Sequence, residues 1–270
     1  MLWTAEPLGE AAICEALCKN GIDMATLFSE DLLAATVSAS PKNKKGEASW
    51  KDKLKFPVGP FRDFCRAASN SLSASAEFAA AWAGETAPNV EDEKEVALRT
   101  RFDFTAGPQA FVGMLRELKE GCTAPDLQRS LFTGWRYSTA AVSMRWDTQD
   151  EKRQYALQSS DPTKSNNPPI ADRGANFLAV EALPLFPLVP NRGAGQAGFE
   201  GKGNGRCWSW PIWTYPVGLD IVRSLLTVPL TDSAEWPGAR RREIGVSAVF
   251  QSRIVMPSGR YRCFTPPRNL

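Results

Sequence analysis

The chain has 270 residues, of which 43% are hydrophobic and 23% charged, and a formal net charge of +2. This is the composition of a globular chain that can bury a core. No apolar run approaches the roughly 20 residues that span a bilayer, and Glu6, Glu10 and Glu15 interrupt the N-terminal stretch in which a secretory leader would be apolar. We therefore expect a cytoplasmic protein without a membrane partner.

The sequence contains no histidine. This excludes Ser–His–Asp and Cys–His nucleophile systems, HEXXH centres and Cys/His zinc sites. The six cysteines are scattered without a CxxC pair. Cys14 and Cys18 would share a helix face, but the two further ligands that a metal needs are lacking nearby. We expect buried free thiols, no metal and no cofactor, so a binding or structural role gains weight over catalysis.

Predicted helices dominate residues 1–95. Apolar stripes and capping residues predict helices over residues 7–20 and 23–35, and the alanine-rich composition of residues 60–84 predicts one or two helices there. The polar, lysine-rich residues 38–55 are typical of a loop. The acids of residues 85–95 indicate an exposed connection, which is the candidate boundary between this helical portion and the rest of the chain.

Residues 96–270 mix strands with short helices. Alternating or aromatic patterns predict strands over residues 100–105, 141–146, 154–157 and 206–215, and a closing hairpin of residues 245–256 and 260–264. Apolar stripes ended by glycine or proline predict helices over residues 107–121, 123–134, 174–183 and 220–226. The expected fold class is α+β: a helical N-terminal portion followed by a mixed, mainly antiparallel sheet region with short helices.

A glycine-rich stretch at residues 191–206 contains a GxGxxG match from Gly193 to Gly198. The dinucleotide fingerprint needs a strand before it and a helix after it, because that helix N-terminus receives the pyrophosphate. Here prolines precede the match and further glycines follow it. The stretch therefore indicates a loop and no nucleotide site.

Positive charge is concentrated at the C-terminal end. Residues 191–270 hold eleven basic and five acidic side chains, and seven arginines follow Pro237 against the single acid Glu243. Such a distribution is typical of a surface that faces phosphate or an acidic partner. The alternative is that these arginines pair with acids from the N-terminal part of the chain.

Aromatic residues interleave with arginines at residues 135–137, 145–146 and 208–215. Exposed rings beside cations can stack on unpaired bases while the arginines follow the phosphates. The alternative is core packing, because Trp208 and Trp210 would share one face of a strand.

Asp147, Asp150 and Glu151 follow a predicted strand and could hold a divalent ion, as carboxylate nucleases require. Lys152 and Arg153 come directly after them. A solvated turn with local ion pairs is therefore the favoured interpretation of these acids.

Short segments between residues 100 and 266 match a known pattern. They are SMRWD at 143–147, YAL at 155–157, GAN at 174–176, EALPLF at 181–186, WPIW at 210–213, GLD at 218–220, VRSLL at 222–226, YR at 261–262 and FTP at 264–266. Together they resemble CRISPR-associated proteins of type I-G (formerly I-U) systems. The match is closest to the extension family associated with the CRISPR helicase–nuclease, and a large-subunit-like component of the effector complex is the alternative.

The resemblance implies a non-catalytic accessory or effector subunit in RNA-guided antiviral defence. Its partners would be other CRISPR-associated subunits and guide RNA or target DNA, and no catalytic residue is carried over. In such complexes base pairing reads the sequence, while protein subunits hold the backbone with basic and aromatic side chains. The candidate nucleic-acid-binding residues are Arg145, Trp146, Arg240, Arg241, Arg242, Arg260 and Arg262. A metal-dependent carboxylate nuclease and a structural adaptor without nucleic-acid affinity remain alternatives.

Overall fold

The fold contains helices and antiparallel sheets, which confirms the α+β class. The structure is a computed structural model. It describes residues 8–20, 54, 56–71, 74–91, 94–105, 111–135, 139–140, 143–146, 170–188, 195–201, 206–228, 230–231, 237–256 and 262–270. The helix predicted over 23–35 and the strand predicted over 154–157 lie outside these residues.

Three helices come first along the described chain: α1 (Glu10–Asn20), α2 (Val58–Ser71) and α3 (Ala74–Trp82). The predictions over 7–20 and 60–84 are confirmed, the latter as two helices. Cys14 of α1 is buried with Leu127 and Phe177, and Cys18 packs against the same cluster. The first helix therefore docks on residues that lie more than a hundred positions further along the chain.

The described residues of this range, 85–91 and 94–95, are strand residues and not the connecting segment that their acids indicated. They belong to an antiparallel hairpin of β1 (Ala83–Glu91) and β2 (Lys94–Arg99). Charged residues are weak strand formers, but tertiary pairing overrides that preference here. The Ala97 N–H donates to the Phe56 carbonyl and the Thr100 N–H donates to the Trp82 carbonyl, both at 2.8 Å.

Two helical segments follow the hairpin, as predicted. Helix α4 (Phe111–Gly121) buries the face that carries Leu115 and Leu118. Helix α5 (Ala124–Gln128) begins with a capping box between Thr123 and Asp126 and continues into a π-helical turn, Arg129–Thr133. Gly134 ends this turn with a φ of 112°, a conformation that favours glycine.

Two predicted strands are wrong where the structure describes them. Residues 100–105 form a turn, because the Asp103 carboxylate accepts from the Thr105 N–H at 3.0 Å and so competes with strand pairing. Residues 143–146 are not a strand because Arg145 has a φ of 63°. The short strands in this part of the chain are β3 (Thr139–Ala140) and β4 (Ile170–Ala171).

Helix α6 (Arg173–Glu181) confirms the prediction over 174–183, and a 3₁₀ turn (Leu183–Leu185) containing Pro184 follows it. Helix α7 (Leu219–Thr227) confirms the prediction over 220–226. A short helix, α8 (Gly238–Glu243), carries Arg240, Arg241 and Arg242.

The main sheet has five antiparallel strands, which are β5 (Phe199–Glu200), β6 (Cys207–Trp213), β7 (Val246–Val255), β8 (Cys263–Phe264) and β9 (Arg268–Asn269). The order is β5-β6-β7-β8, and β9 also pairs with β7. The aromatic strand and the closing hairpin are thus confirmed. In the glycine-rich stretch predicted as a loop over 191–206, residues 195–198 are irregular or turn as predicted, but residues 199–200 form the short strand β5.

One buried cluster joins both predicted portions of the chain. It contains Leu54, Phe61 and Trp82 from the first 95 residues, and Phe102, Leu183 and Ile254 from the rest. The packing of the sheet on these helices is therefore part of the core.

Gly174 lies where α6 crosses α5 with almost no space for a side chain. A Cβ built there would lie 2.5 Å from the Asp126 carbonyl oxygen and closer still to the Ser130 hydroxyl. We predict that Gly174→Ala lowers the free energy of unfolding by about 1–3 kcal/mol, because the backbones must separate. Denaturant unfolding measures the change.

Gly59→Ala is the matched control, because Gly59 is the second residue of α2, as Gly174 is of α6, and a Cβ at Gly59 meets nothing within 4 Å. We expect it to leave the free energy of unfolding unchanged or to raise it by up to about 1 kcal/mol. Equal effects of the two substitutions would contradict the close approach of α5 and α6.

Candidate nucleic-acid interface

One face of the main sheet carries a run of aromatic rings. Side chains alternate along a strand, so Trp208 and Trp210 of β6 share this face with Phe264 of β8. The ring centroids of Trp208 and Trp210 are 4.4 Å apart, and those of Trp208 and Phe264 are 5.4 Å apart. The face is thus a continuous aromatic surface across the width of the sheet.

Phe102 lies at the centre of these rings. Its ring contacts five others, those of Trp146, Phe186, Phe199, Trp208 and Phe264, at centroid distances between 4.9 and 6.2 Å. All five approach edge-on, the geometry that the charge distribution of aromatic rings favours. Phe102 therefore links the sheet to the helical side of the core.

A cavity of about 420 Å³ opens between this aromatic face and helix α6. Its walls are almost entirely apolar. We call it the aromatic cleft, and its lining includes Trp135, Trp146, Trp208, Trp210, Trp213 and Phe264. Cavities of this size hold small ligands or parts of larger ones.

A polar network fixes the α6 wall of the cleft. The Asp172 carboxylate caps α6 by accepting from the Ala175 N–H at 2.8 Å, and it also accepts from the Ser130 hydroxyl. The Asn176 side chain donates to the Asp172 carbonyl at 2.9 Å and accepts from the Met144 N–H at 3.2 Å. The segments at 143–146 and 174–176 are thereby joined.

Trp146 lines the cleft from the same segment. Its indole N–H donates to the Phe102 carbonyl at 2.8 Å, and the side chain is half-buried. The preceding residue, Arg145, is 3% exposed and is held in the left-handed region while its N–H donates to the Ser143 hydroxyl at 3.1 Å. Of this candidate pair, only Trp146 lines the cleft.

Three arginines gather at one end of the aromatic face, and we call them the arginine cluster: Arg101, Arg206 and Arg262. Each arginine is close in the chain to a ring that lines the cleft. Arg101 directly precedes Phe102. Arg206 and Arg262 lie two residues before Trp208 and Phe264, respectively. Strands β6 and β8 both begin beside the C-terminal end of β7. Arg206 and Arg262 therefore lie at the same end of the sheet, on the face that carries the rings.

The positive charges of the arginine cluster repel one another. Burial first, and then the charges of Arg206 and Arg262, lower the pKa of Arg101 to about 10. Burial and the charge of Arg262 also lower the pKa of Arg206. Both Arg101 and Arg206 stay protonated at neutral pH, so the repulsion persists there.

The described carboxylates do not neutralise two members of this cluster. Among the residues that the structure describes, no acid forms an ion pair with Arg206 or Arg262. Glu200 pairs with Cys207 in the sheet and so lies on the other face, where its carboxylate accepts from the Leu230 N–H and the Thr231 hydroxyl. The buried Nε of Arg206 has no hydrogen-bond partner within the described chain.

Gln196 holds Arg101 in place. Its side-chain carbonyl accepts from the Arg101 N–H at 2.6 Å, and its amide donates to the Thr100 hydroxyl and the Phe186 carbonyl, each at 2.9 Å. The side chain is 2% exposed. Gln196 is therefore a positioning residue for the arginine cluster and for Phe102.

The other predicted arginines lie apart from this arrangement. Arg241 is 9% exposed, and its guanidinium donates to the Leu230 carbonyl at 2.5 Å, which anchors α8. Arg240 and Arg242 are exposed on the same helix, and Arg260 lies outside the described residues. Of the predicted set, the structure brings Arg262 and Trp146 to the aromatic face, while Arg145 and Arg241 are buried structural cations.

Sequence reasoning missed Arg101, Arg206 and Gln196. The spacing of Arg206 and Trp208, two apart on a predicted strand, was a usable signal because it places both side chains on one face. Nothing local links Arg101 to either of the others, since their proximity depends on the long-range bonds of Gln196.

In the described chain, no group of three or more Cys, Asp or Glu side chains is arranged to hold an ion. Asp147, Asp150 and Glu151 lie outside that part of the structure. All six cysteines are described and none forms a disulfide, with Cys14 and Cys263 buried.

Comparison with known proteins returned no match to any family model, curated protein or solved structure. Within the residues that are described, no helix combines the length and the apolar character needed to cross a membrane.

We predict that Arg262→Gln stabilises the fold, because it removes one of three mutually repelling charges at an exposed position. Surface charge interactions are worth about 0.2–1 kcal/mol, which corresponds to a rise of roughly 1–3 °C in the unfolding midpoint. Thermal unfolding at low salt measures it, with Arg242→Gln as the exposed arginine control. A lower midpoint for Arg262→Gln would mean that Arg262 has a stabilising anionic partner and would contradict the cluster.

Proposed function

We propose that the chain is a non-catalytic nucleic-acid-binding subunit of a type I CRISPR interference complex, acting in the cytoplasm in antiviral defence. Guide RNA or target DNA and other CRISPR-associated subunits would be its partners. The observation that carries the nucleic-acid part of this proposal is the arginine cluster. The sequence resemblance of residues 100–266 supports the assignment to a CRISPR complex.

The arginine cluster supports phosphate binding for an energetic reason. Arg206 and Arg262 have no acidic partner among the described residues, so their mutual repulsion destabilises the folded chain unless an anion binds there. Arginine is the preferred partner of phosphate, since its planar guanidinium donates two parallel hydrogen bonds to phosphate oxygens.

Exposed aliphatic side chains support contact with a neighbouring subunit. Leu219 and Ile221, at the start of α7, are 54% and 52% exposed. Subunit surfaces bury such side chains on assembly. A net charge of only +2 also favours an assembled complex over strong binding of nucleic acid by the isolated chain.

The phosphate-binding role predicts a specific salt dependence. We expect the double variant Arg206→Ala/Arg262→Ala to bind a single-stranded 20-mer at least tenfold more weakly than the wild type at low salt, because each charged hydrogen bond contributes about 1.5 kcal/mol. The slope of log affinity against log salt should fall in magnitude by about 1.4, since each lost phosphate contact on a single strand removes about 0.7. Fluorescence anisotropy at several salt concentrations measures both quantities.

The matched control is Arg240→Ala/Arg242→Ala, which removes two exposed arginines on α8, outside the cluster. The earlier candidate Arg241 is left intact because its buried bond to Leu230 would confound the result with unfolding. If the α8 pair lowers the slope and the cluster pair does not, the phosphate site is on α8 and the proposed role of the cluster fails.

A further inference from the structure

The aromatic cleft and the arginine cluster adjoin one another. Phe102, Trp208 and Phe264 line the cleft, and the three arginines of the cluster are their near neighbours in the chain. Two residues along a strand span about 7 Å. A ligand with one planar apolar group and one phosphate, set apart by the length of a nucleotide or two, would reach both features at once.

We infer that the aromatic cleft receives an unstacked base of a single nucleic-acid strand whose phosphates lie on the arginine cluster. This inference rests on the proposed function, and it adds that the bound form is single-stranded and that a base makes contact. Bases within a duplex are stacked and paired, so their flat faces cannot reach the aromatic wall of a cleft. Single-stranded segments present those faces to aromatic side chains.

The apolar, aromatic wall of the cleft is suited to stacking against a base. Its tryptophans offer flat apolar surfaces, and stacking on them accepts any base, because every base has a π-face.

The side chains of Asp172 and Asn176 are not available to form hydrogen bonds with a base in the cleft. Both side chains line the cleft, but the carboxylate of Asp172 is engaged by Ser130 and Ala175. The amide of Asn176 is engaged by Asp172 and Met144. The polar edge of a base would therefore face the open side of the cleft, so we expect little discrimination between bases.

Trp135 is the side chain with which to test the inference. It lines the cleft and is 63% exposed, so its truncation removes a stacking surface without opening the core. Trp135→Phe keeps a ring at the same position. Tyr215 is 73% exposed and is not part of the cleft lining, so Tyr215→Ala serves as the exposed aromatic control.

The probes are a 20-nucleotide thymidine strand, an abasic strand of the same length and a 20-base-pair duplex, each followed by fluorescence anisotropy. The abasic strand has the same phosphates and no bases. We expect the wild type to bind the thymidine strand about tenfold more tightly than the abasic strand, which corresponds to one stacked base. This preference should shrink to less than about threefold in Trp135→Ala, and should persist in Trp135→Phe and Tyr215→Ala.

The outcomes separate the two proposals. Equal binding of the thymidine and abasic strands, with binding still dependent on Arg206 and Arg262, would overturn the base-binding inference and leave phosphate binding in place. Persistence of the full preference in Trp135→Ala, or tighter binding of the duplex than of the thymidine strand, would also overturn it. Failure to bind all three probes would overturn the proposed function together with the inference.

Discussion

The arrangement of this protein depends on one buried amide, the side chain of Gln196. By accepting from the Arg101 N–H and donating to the Phe186 carbonyl, it fixes the turn that follows β2 against the segment that follows α6. The turn places Phe102 among the rings of the sheet and of the helical core. A buried amide is costly to leave unsatisfied, so the bonds of Gln196 specify one geometry where apolar packing alone would tolerate several.

That geometry has an electrostatic consequence. With Phe102 inserted beside Trp208 and Phe264, the neighbouring Arg101 must lie near Arg206 and Arg262. Burial, and then the charges of Arg206 and Arg262, lower the pKa of Arg101, and both effects cost the fold stability. Strain of this kind at an open cleft is typical of a site prepared for a ligand of opposite charge. The pairing of cationic and aromatic groups then defines the proposed ligand, a single strand with phosphates and accessible bases.

Local sequence patterns predicted many of the helices and strands. The alternation around Trp208 and Trp210 predicted β6, and the apolar stripe ended by Gly121 predicted α4, because in these segments the neighbours along the chain decide the structure. The strand predicted over 100–105 and the described part, 143–146, of the strand predicted over 141–146 failed for a different reason. There, the side-chain oxygens of Asp103 and Asn176 accept hydrogen bonds from the Thr105 and Met144 N–H groups, in place of strand pairing.

The candidate site was less accessible to sequence reasoning. Counting arginines after Pro237 found Arg262, but it gave equal weight to Arg241, which anchors α8 from a buried position. Whether a single arginine in a short helix is buried depends on which residues from elsewhere in the chain pack against it. The local sequence pattern does not contain this information. Arg101 and Arg206 are 105 positions apart in the chain, and only the contacts of Phe102 and Gln196 bring them to the same end of the sheet.

The most direct test of the central claim is co-purification of the tagged full-length chain, expressed with the proteins encoded beside it, followed by extraction of bound nucleic acid. The proposal predicts recovery of CRISPR-associated subunits together with an RNA of defined length, and loss of the RNA from the preparation of Arg206→Ala/Arg262→Ala. Recovery of the chain alone and free of nucleic acid would contradict it.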